Sequence, residues 1–111
     1  MNIKLVEHIY FVGIGGIGMS ALARYFNAKG KKVIGYDKTP STITQALTDE
    51  GINLHFDENY IPQEILDSDF QSVLIVYTPA VSLSSPQLTP FSSHKWIVLK
   101  RAELLGLYAY I

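Results

Sequence analysis

The segment HIYFVGIGGIGMSALARYF, residues 8–26, joins a short apolar run to a helical pattern through four closely spaced glycines. The run at 8–14 is rich in β-branched and aromatic residues and is closed by glycine, which predicts a buried β-strand. Apolar residues then recur at helical spacing over 19–30, where Gly30 is expected to end the helix. Because glycine loses more conformational entropy on folding than alanine does, so many glycines indicate that another group approaches this backbone closely.

The rest of the chain continues this alternation of strand and helix. Further strands are predicted at 31–37, 52–56, 71–79 and 95–100. Further helices are predicted at 40–51, with Ser41 or Thr42 as N-cap, and from 101 to the end, while 57–70 and 84–94 hold at most short helices. Alternating strands and helices form right-handed βαβ units, so we expect an α/β fold, a Rossmann-like open parallel sheet of about five strands with helices on both faces.

Composition limits the classes of function. The chain has 111 residues, of which 48% are hydrophobic, enough to build the core of a single domain. Its net charge of −1 gives no electrostatic reason to expect a nucleic acid or an anionic membrane as partner. There is no cysteine, which excludes disulfides, thiol catalysis and cysteine-ligated metals.

Three further sequence patterns bear on cellular location, metal binding and the C-terminal end of the chain. The N-terminus lacks the pattern of a signal peptide and no apolar run is long enough to span a bilayer, so we expect a cytoplasmic protein. The three histidines lack the spacing of metal ligands, so no metal site is expected. The final run LLGLYAYI is apolar, which favours an artificial boundary over a natural surface at this end.

The glycines fit the pattern G-x-G-x-x-G, which follows a predicted strand and opens a predicted helix, and Asp37 ends the next strand. Gly13 is expected to allow a tight turn, Gly15 the approach of a ligand phosphate, and Gly18 close packing of the helix on the sheet. The free N–H groups at the helix start and the helix dipole then form an anion site, so the expected ligand is a diphosphate. The alternative is a tight turn with close helix–strand packing and no ligand.

Three side chains near the loop have two open assignments each. Asp37 either accepts hydrogen bonds from a ligand hydroxyl or has a structural role, capping the following helix or lying in solvent. Lys38 either pairs with a phosphate or lies in solvent. Ser20 donates a hydrogen bond either to a phosphate or to its own backbone.

A second polar cluster, YTPAVSLSSPQL at 77–88, follows the fourth predicted strand. Open α/β sheets bind ligands at the carboxyl ends of their strands, so Thr78 and the backbone beside Pro79 are expected to face the same crevice as the glycine loop. The alternative is a rigid turn that only ends the strand. Beyond the fifth strand, Arg101 suits a phosphate or carboxylate, and the alternative is an ion pair with Glu103 or a neighbouring acidic residue.

Three stretches carry a resemblance beyond a dinucleotide-binding pattern. They are HIYFVGIGGIGMSALA, VIGYDKTPSTITQAL, and VYTPAV followed by RAELL, and together they resemble the N-terminal domain of the Mur ligase family. The resemblance implies that residues 1–111 form a single Rossmann-like domain that binds a UDP-linked substrate. The ATP-binding and C-terminal domains of a three-domain ligase are then absent from this sequence, which also lacks the family's GTHGKTT loop.

The resemblance further implies a role in cytoplasmic peptidoglycan precursor synthesis. The family members with these motifs ligate L-alanine to UDP-N-acetylmuramate, using ATP and Mg²⁺ to activate the muramate carboxylate as an acyl phosphate. A ligase that recycles a UDP-N-acetylmuramate tripeptide is similar, but usually differs in the glycine loop. This chain alone is expected to bind UDP-N-acetylmuramate and to be inactive, with no catalytic residue, cofactor or metal of its own.

Two sets of binding residues follow from the resemblance. Those around the diphosphate are Gly13, Gly15, Gly16, Ile17 and Gly18. Those on the uridine side and the crevice wall are Asp37, Lys38, Ser41, Thr78, Pro79, Ala80 and Arg101. The alternative function is a regulatory module for NAD(H) or an adenine nucleotide, since such modules share the glycine loop and the acidic residue but do not require RAELL. No ATP-binding loop of the form G-x-x-x-x-G-K-[ST] occurs in the chain.

Overall fold

Strands and helices alternate along the chain in the computed structural model, which describes residues 2–93 and 95–108. The strands are β1 His8–Val12, β2 Lys32–Tyr36, β3 Asn53–His55, β4 Val73–Tyr77 and β5 Ile97–Lys100. The helices are α1 Ile17–Ala28, α2 Thr42–Asp49, α3 Gln63–Leu66 and α4 Arg101–Tyr108, with 3₁₀ turns at Ile3–Leu5, Phe70–Ser72 and Thr89–Phe91. Within the described residues the strands form one parallel sheet in the order β3-β2-β1-β4-β5. The expected fold class is confirmed.

The central strand β1 pairs along its whole length with β2 on one side and β4 on the other. Its last four residues are buried, and so are all five residues of β4. A parallel strand covered on both faces has apolar side chains throughout, which is why HIYFV and VLIVY show no polar alternation.

Helices cover both faces of the sheet. On one face Phe11 packs in a cluster with Leu47 of α2 and Leu104 of α4, and α1 contributes to the same cluster. On the other face Tyr10 packs in a cluster with Ile65 of α3 and with the 3₁₀ turn before β5. The carboxyl ends of the strands, where ligands of such sheets bind, are therefore surrounded by the connecting loops.

The helix α1 begins at Ile17, two residues before the predicted start. Gly16 precedes it as N-cap with extended backbone, at φ −67° and ψ 150°. The apolar stripe that marks a helix in a sequence starts only at Met19, so the first turn carries no periodic signal.

Of the two candidate N-caps of α2, Ser41 occupies the position. Its Oγ accepts a hydrogen bond from the Thr44 N–H at 3.2 Å, and Thr44 Oγ1 accepts one from the Ser41 N–H at 2.8 Å. Such a reciprocal pair satisfies two N–H groups that a helix start leaves without partners. Gly30 and Gly51 follow α1 and α2 with φ of 86° and 90°, as expected for glycines that end helices.

No helix in the described part of the chain has the length and apolar character needed to cross a membrane. Residues 109–111, the end of the predicted last helix and of the apolar final run, lie outside the described residues, as does His94.

Candidate functional site

A cleft of about 760 Å³ opens at the carboxyl ends of the strands, where the order of the sheet reverses between β1 and β4. We call residues 13–16 and 36–41 its near wall, and residues 58 and 78–86 its far wall. The residues that line the cleft are Gly13, Gly15, Gly16, Tyr36, Asp37, Lys38, Thr39, Ser41, Glu58, Thr78, Ala80, Val81, Ser82, Ser84, Ser85 and Pro86. The reversal point is where open α/β sheets bind their ligands.

The glycine loop is held against β2 by its main chain. The N–H groups of Gly13 and Ile14 both donate to the carbonyl oxygen of Tyr36, at 2.8 and 3.0 Å. Gly13 has φ +96°, which permits the tight turn expected there. The Ile14 side chain is fully buried over Gly35, where an added Cβ would lie 2.8 Å from the Ile14 Cβ. Gly35 was not among the predicted site residues, although an isolated glycine within a strand indicates a close approach.

Gly15 lines the cleft and also contacts other residues of the chain. Its N–H donates to Asp37 Oδ2 at 2.8 Å, and an added Cβ would lie 2.7 Å from that oxygen and 3.0 Å from Thr44 Cγ2. The space that the glycine leaves is therefore filled by the chain's own carboxylate and methyl group. Asp37 does not cap α2 either, because its second oxygen accepts from the Thr39 N–H at 3.0 Å and Ser41 is the N-cap.

The start of α1 lies beside the cleft. An added Cβ at Gly16 would lie 3.6 Å from its nearest neighbour, the Gly13 carbonyl oxygen, which is an ordinary contact. The N–H groups of a helix's first turn have no acceptor within the helix, and here they belong to residues 17–19. Ser20 bonds the backbone of its own helix, since its Oγ donates to the Ile17 carbonyl at 2.9 Å. Ile17 itself is 82% exposed and does not line the cleft.

Gly18 and Arg101 lie together. An added Cβ at Gly18 would lie 2.8 Å from Arg101 Nη1 and 3.1 Å from its Cδ, so the arginine side chain is the nearest neighbour of this glycine. Neither residue is among those that line the cleft. Glu103 Oε1 accepts from the Lys100 N–H at 2.9 Å at the start of α4.

The far wall is rich in hydroxyl groups. Thr78 and Ala80 line the cleft as expected, while Pro79 is exposed and does not line it. The Val81 N–H donates to the Thr78 carbonyl at 3.0 Å, which forms the turn that ends β4. Lining residues absent from the predicted set are Tyr36, Thr39, Glu58, Val81, Ser82, Ser84, Ser85 and Pro86. The serine run directly after a strand was the available signal for several of them.

Charges in the cleft are mixed. Lys38 is exposed on the near wall, and Asp37 and Glu58 contribute carboxylates. Burial raises the pKa of the Tyr36 hydroxyl, and the nearby carboxylates of Glu58, Asp37 and Asp57 raise it further. Within residues 2–93 and 95–108, no three histidine or carboxylate side chains lie close enough to hold a metal ion.

The chain is similar in sequence to one known protein family along most of its length. The model of the Mur ligase family, catalytic domain, matches residues 8–110. The chain is 51% identical over 109 residues to UDP-N-acetylmuramate–L-alanine ligase of Parabacteroides distasonis, covering 96% of this chain and 23% of that protein. It is 54% identical over 103 residues to the enzyme of the same name from Porphyromonas gingivalis, covering 91% of this chain and 22% of that protein.

A solved structure is also similar. The crystal structure of UDP-N-acetylmuramate-alanine ligase MurC from Thermotoga maritima superposes with a TM-score of 0.78 at 28% identity, covering 93% of this chain and 23% of that one. The chain thus spans about a quarter of the length of the relatives it matches. The family model covers nearly the whole sequence, and the fold agrees with that of the solved relative. The chain therefore belongs to the Mur ligase family.

Proposed function

We propose that residues 1–111 form the UDP-binding domain of a UDP-N-acetylmuramate–L-alanine ligase, which acts in peptidoglycan precursor synthesis in the cytoplasm. The similarity to ligases of that name supports the reaction, and the cleft at the reversal of strand order supports the binding role. Its volume of about 760 Å³ lies in the usual range for small-molecule sites.

The observation that carries this proposal is the position of Arg101. Cations are normally favoured at the C-terminal end of a helix and disfavoured at the N-terminal end, because the helix dipole is positive there. Here the guanidinium lies against Gly18, in the first turn of α1. Two sources of positive potential therefore lie together at Gly18, two residues along the chain from Gly16 of the cleft, and a diphosphate bound at that end of the cleft would offset their repulsion.

The remaining cleft surface suits the rest of a sugar nucleotide. Hydroxyl side chains donate and accept hydrogen bonds, so they match the diols and carbonyls of uridine and of an amino sugar. They come from both walls, and include Thr39, Ser41, Ser82, Ser84 and Ser85. Lys38 adds an exposed positive charge at the rim of the near wall.

ATP and Mg²⁺ do not fit the residues present. The sequence has no G-x-x-x-x-G-K-[ST] loop to hold ATP phosphates, and its described residues gather no metal-ligand cluster. In the ligase, binding of ATP, Mg²⁺ and L-alanine would fall to residues outside this sequence. The chain alone should then release no phosphate when incubated with UDP-N-acetylmuramate, L-alanine and Mg-ATP, beyond a heat-killed control.

Isothermal titration of the purified chain with UDP-N-acetylmuramate, UDP and NADH tests the binding role. We expect the UDP-sugar to bind most tightly, and ligand at 100 times its Kd to stabilise the fold by about 2.7 kcal/mol. Arg101→Gln should weaken binding about tenfold or more, whereas Arg24→Gln, on the exposed surface of α1, should leave it unchanged. Binding of NADH without binding of the UDP-sugar would favour the regulatory nucleotide module instead.

A further inference from the structure

We propose that Gln87 is a positioning residue for the cleft, holding the segments 57–60 and 82–88 together as one unit before any ligand binds. Both segments contribute to the far wall, and neither belongs to a helix or a strand. No ladder of backbone hydrogen bonds therefore fixes them to each other. The inference rests on the proposed function for the identity of the ligand, but the coupling between the two segments does not.

The Gln87 side chain bridges the segments directly. It is fully buried, and the two hydrogens of its Nε2 are shared among three carbonyl oxygens, those of Asp57 at 3.3 Å, Glu58 at 3.0 Å and Tyr60 at 2.6 Å. Because carbonyl oxygens only accept hydrogen bonds, the amide nitrogen has to face them, and this fixes the orientation of the side chain. One residue thus satisfies most of the carbonyl groups of the facing turn.

The same logic extends beneath Gln87. Its Oε1 faces the hydroxyl of Tyr10, which has to donate to it, because an amide oxygen only accepts. The Tyr10 oxygen keeps lone pairs for His55 Nε2, which lies 2.8 Å away and has to carry a hydrogen. His55 Nδ1 is then bare, and accepts from the Asp57 N–H at 3.3 Å. Each donor meets an acceptor only when His55 is neutral.

The surroundings of His55 favour that neutral form. The rings of Tyr36 and Tyr60 lie 5.4 and 5.0 Å from the His55 ring, and Tyr10 stacks beside it at 6.3 Å. Burial lowers the pKa of His55, against the opposing effect of the Asp57 carboxylate. Burial also raises the pKa of Tyr10 well above its usual range, so its hydroxyl stays a donor. A fully satisfied, uncharged network of this kind makes its surroundings rigid.

The hydrogen-bond network lies behind the cleft and is connected to residues that line it. Gln87 does not line the cleft, but Ser85 and Pro86 directly before it do, and the Gln87 N–H donates to Ser85 Oγ at 3.2 Å. On the facing segment Glu58 lines the cleft, and its own carbonyl oxygen is one of the three acceptors. The position of the far wall is thus set within one or two residues of Gln87.

Gln87→Met tests the proposal, since methionine is close in length but offers no N–H group. We expect amide hydrogen exchange to become about tenfold faster in both 57–60 and 82–88, with the glycine loop 13–16 unchanged. The Kd for UDP-N-acetylmuramate should rise about fivefold or more. Tyr10→Phe keeps the ring and should act in the same direction more weakly. The control Ile65→Val removes a methylene group from the same core and should change thermal stability without changing exchange at the two segments or the Kd.

Several results would overturn the proposal. One is faster exchange in 82–88 alone, and another is an equal effect of Ile65→Val on the two segments. A third is an unchanged Kd of Gln87→Met for UDP-N-acetylmuramate when the wild-type chain binds this ligand. If Gln87→Met does not fold, Tyr10→Phe decides by the same measurements. A wild-type chain that does not bind UDP-N-acetylmuramate overturns the proposed function, and the exchange data still decide the coupling.

Discussion

The two walls of the cleft are held in place by different means. The near wall is fixed by its main chain, which donates from Gly13 and Ile14 to β2, and by the close fit of Ile14 over Gly35. The far wall has no such ladder, and one buried side chain, Gln87, joins its two segments. The near wall therefore requires glycines, whose lack of a Cβ permits close contacts, whereas the far wall requires the hydrogen bonds of a buried polar side chain. Overpacking should damage the first, and loss of hydrogen bonds or a change in protonation should damage the second.

The largest effect is expected from Gly35→Ala. The new Cβ would lie 2.8 Å from Ile14 Cβ and 2.9 Å from its Cγ2, inside the buried part of β2. Overpacking of this kind costs about 1–3 kcal/mol, and we expect a value near 3 in urea unfolding. The double variant Ile14→Ala, Gly35→Ala should recover part of the loss, and strictly additive effects would contradict the close fit.

A smaller loss of stability is expected for alanine at Gly15, and almost none for alanine at Gly16. Gly15→Ala would press on Asp37 and Thr44 and should cost about 1–2 kcal/mol, whereas Gly16→Ala meets only ordinary contacts and should cost less than about 0.5 kcal/mol. Paired urea unfolding curves measure this difference. Asp37→Ala should relieve part of the cost of Gly15→Ala, and equal costs at the two glycines would refute the assignment.

Acidification should act on the far wall. Because burial lowers the pKa of His55 in the folded chain, its contribution to stability is complete above the unfolded value of about 6.5 and is lost as the pH falls below it. We expect the urea midpoint of the wild type to decrease between about pH 7.5 and 5. Hydrogen exchange in 57–60 and 82–88 should rise over the same range. In His55→Gln this pH dependence should be reduced, and an unchanged dependence would show that another group causes it.

The smallest effect is expected away from both walls, at the exposed ion pair of Arg24 and Glu50. The Arg24 Nε lies 2.8 Å from Glu50 Oε1, but both side chains are well exposed and screened by water. Arg24→Gln should therefore leave the thermal midpoint and the exchange of either wall within experimental error. A clear loss at low salt that disappears at high salt would mean that surface charge contributes more than this comparison assumes.

The near wall was largely predictable from the sequence. For the far wall, the sequence predicted that the segment after β4 faces the crevice, but not how that segment is held in place. Glycine spacing between a strand and a helix is a local pattern, so the loop and the order of elements around it followed from neighbouring residues. The sequence did not indicate which side chains lie against Gly15 and Gly18. Those neighbours, Asp37 and Arg101, come from other elements, so only the folded chain brings them there.

Gln87 lies within the segment 77–88 that was predicted to face the crevice, but nothing local indicated its role as a bridge. Its partners lie far away in sequence, with Tyr10 separated from it by 77 residues. A buried polar residue is recognised by the partners that satisfy it, and their positions depend on the topology of the sheet. Predicting the fold class was therefore not sufficient to predict how this wall is held.

The order of the strands also determines when each part of the cleft can form during folding. β2 and β3 follow β1 closely in the chain, whereas β4 reaches β1 only after a long loop has closed, at a greater cost in chain entropy. The glycine loop can thus gain its contacts early, while the Tyr10–Gln87 bond has to wait for the second half. Trp96, the single tryptophan, packs 4.9 Å from Phe91 in that second half. In stopped-flow refolding its fluorescence should change after β1 and β2 become protected from exchange, and simultaneous changes would indicate that the whole cleft assembles in one step.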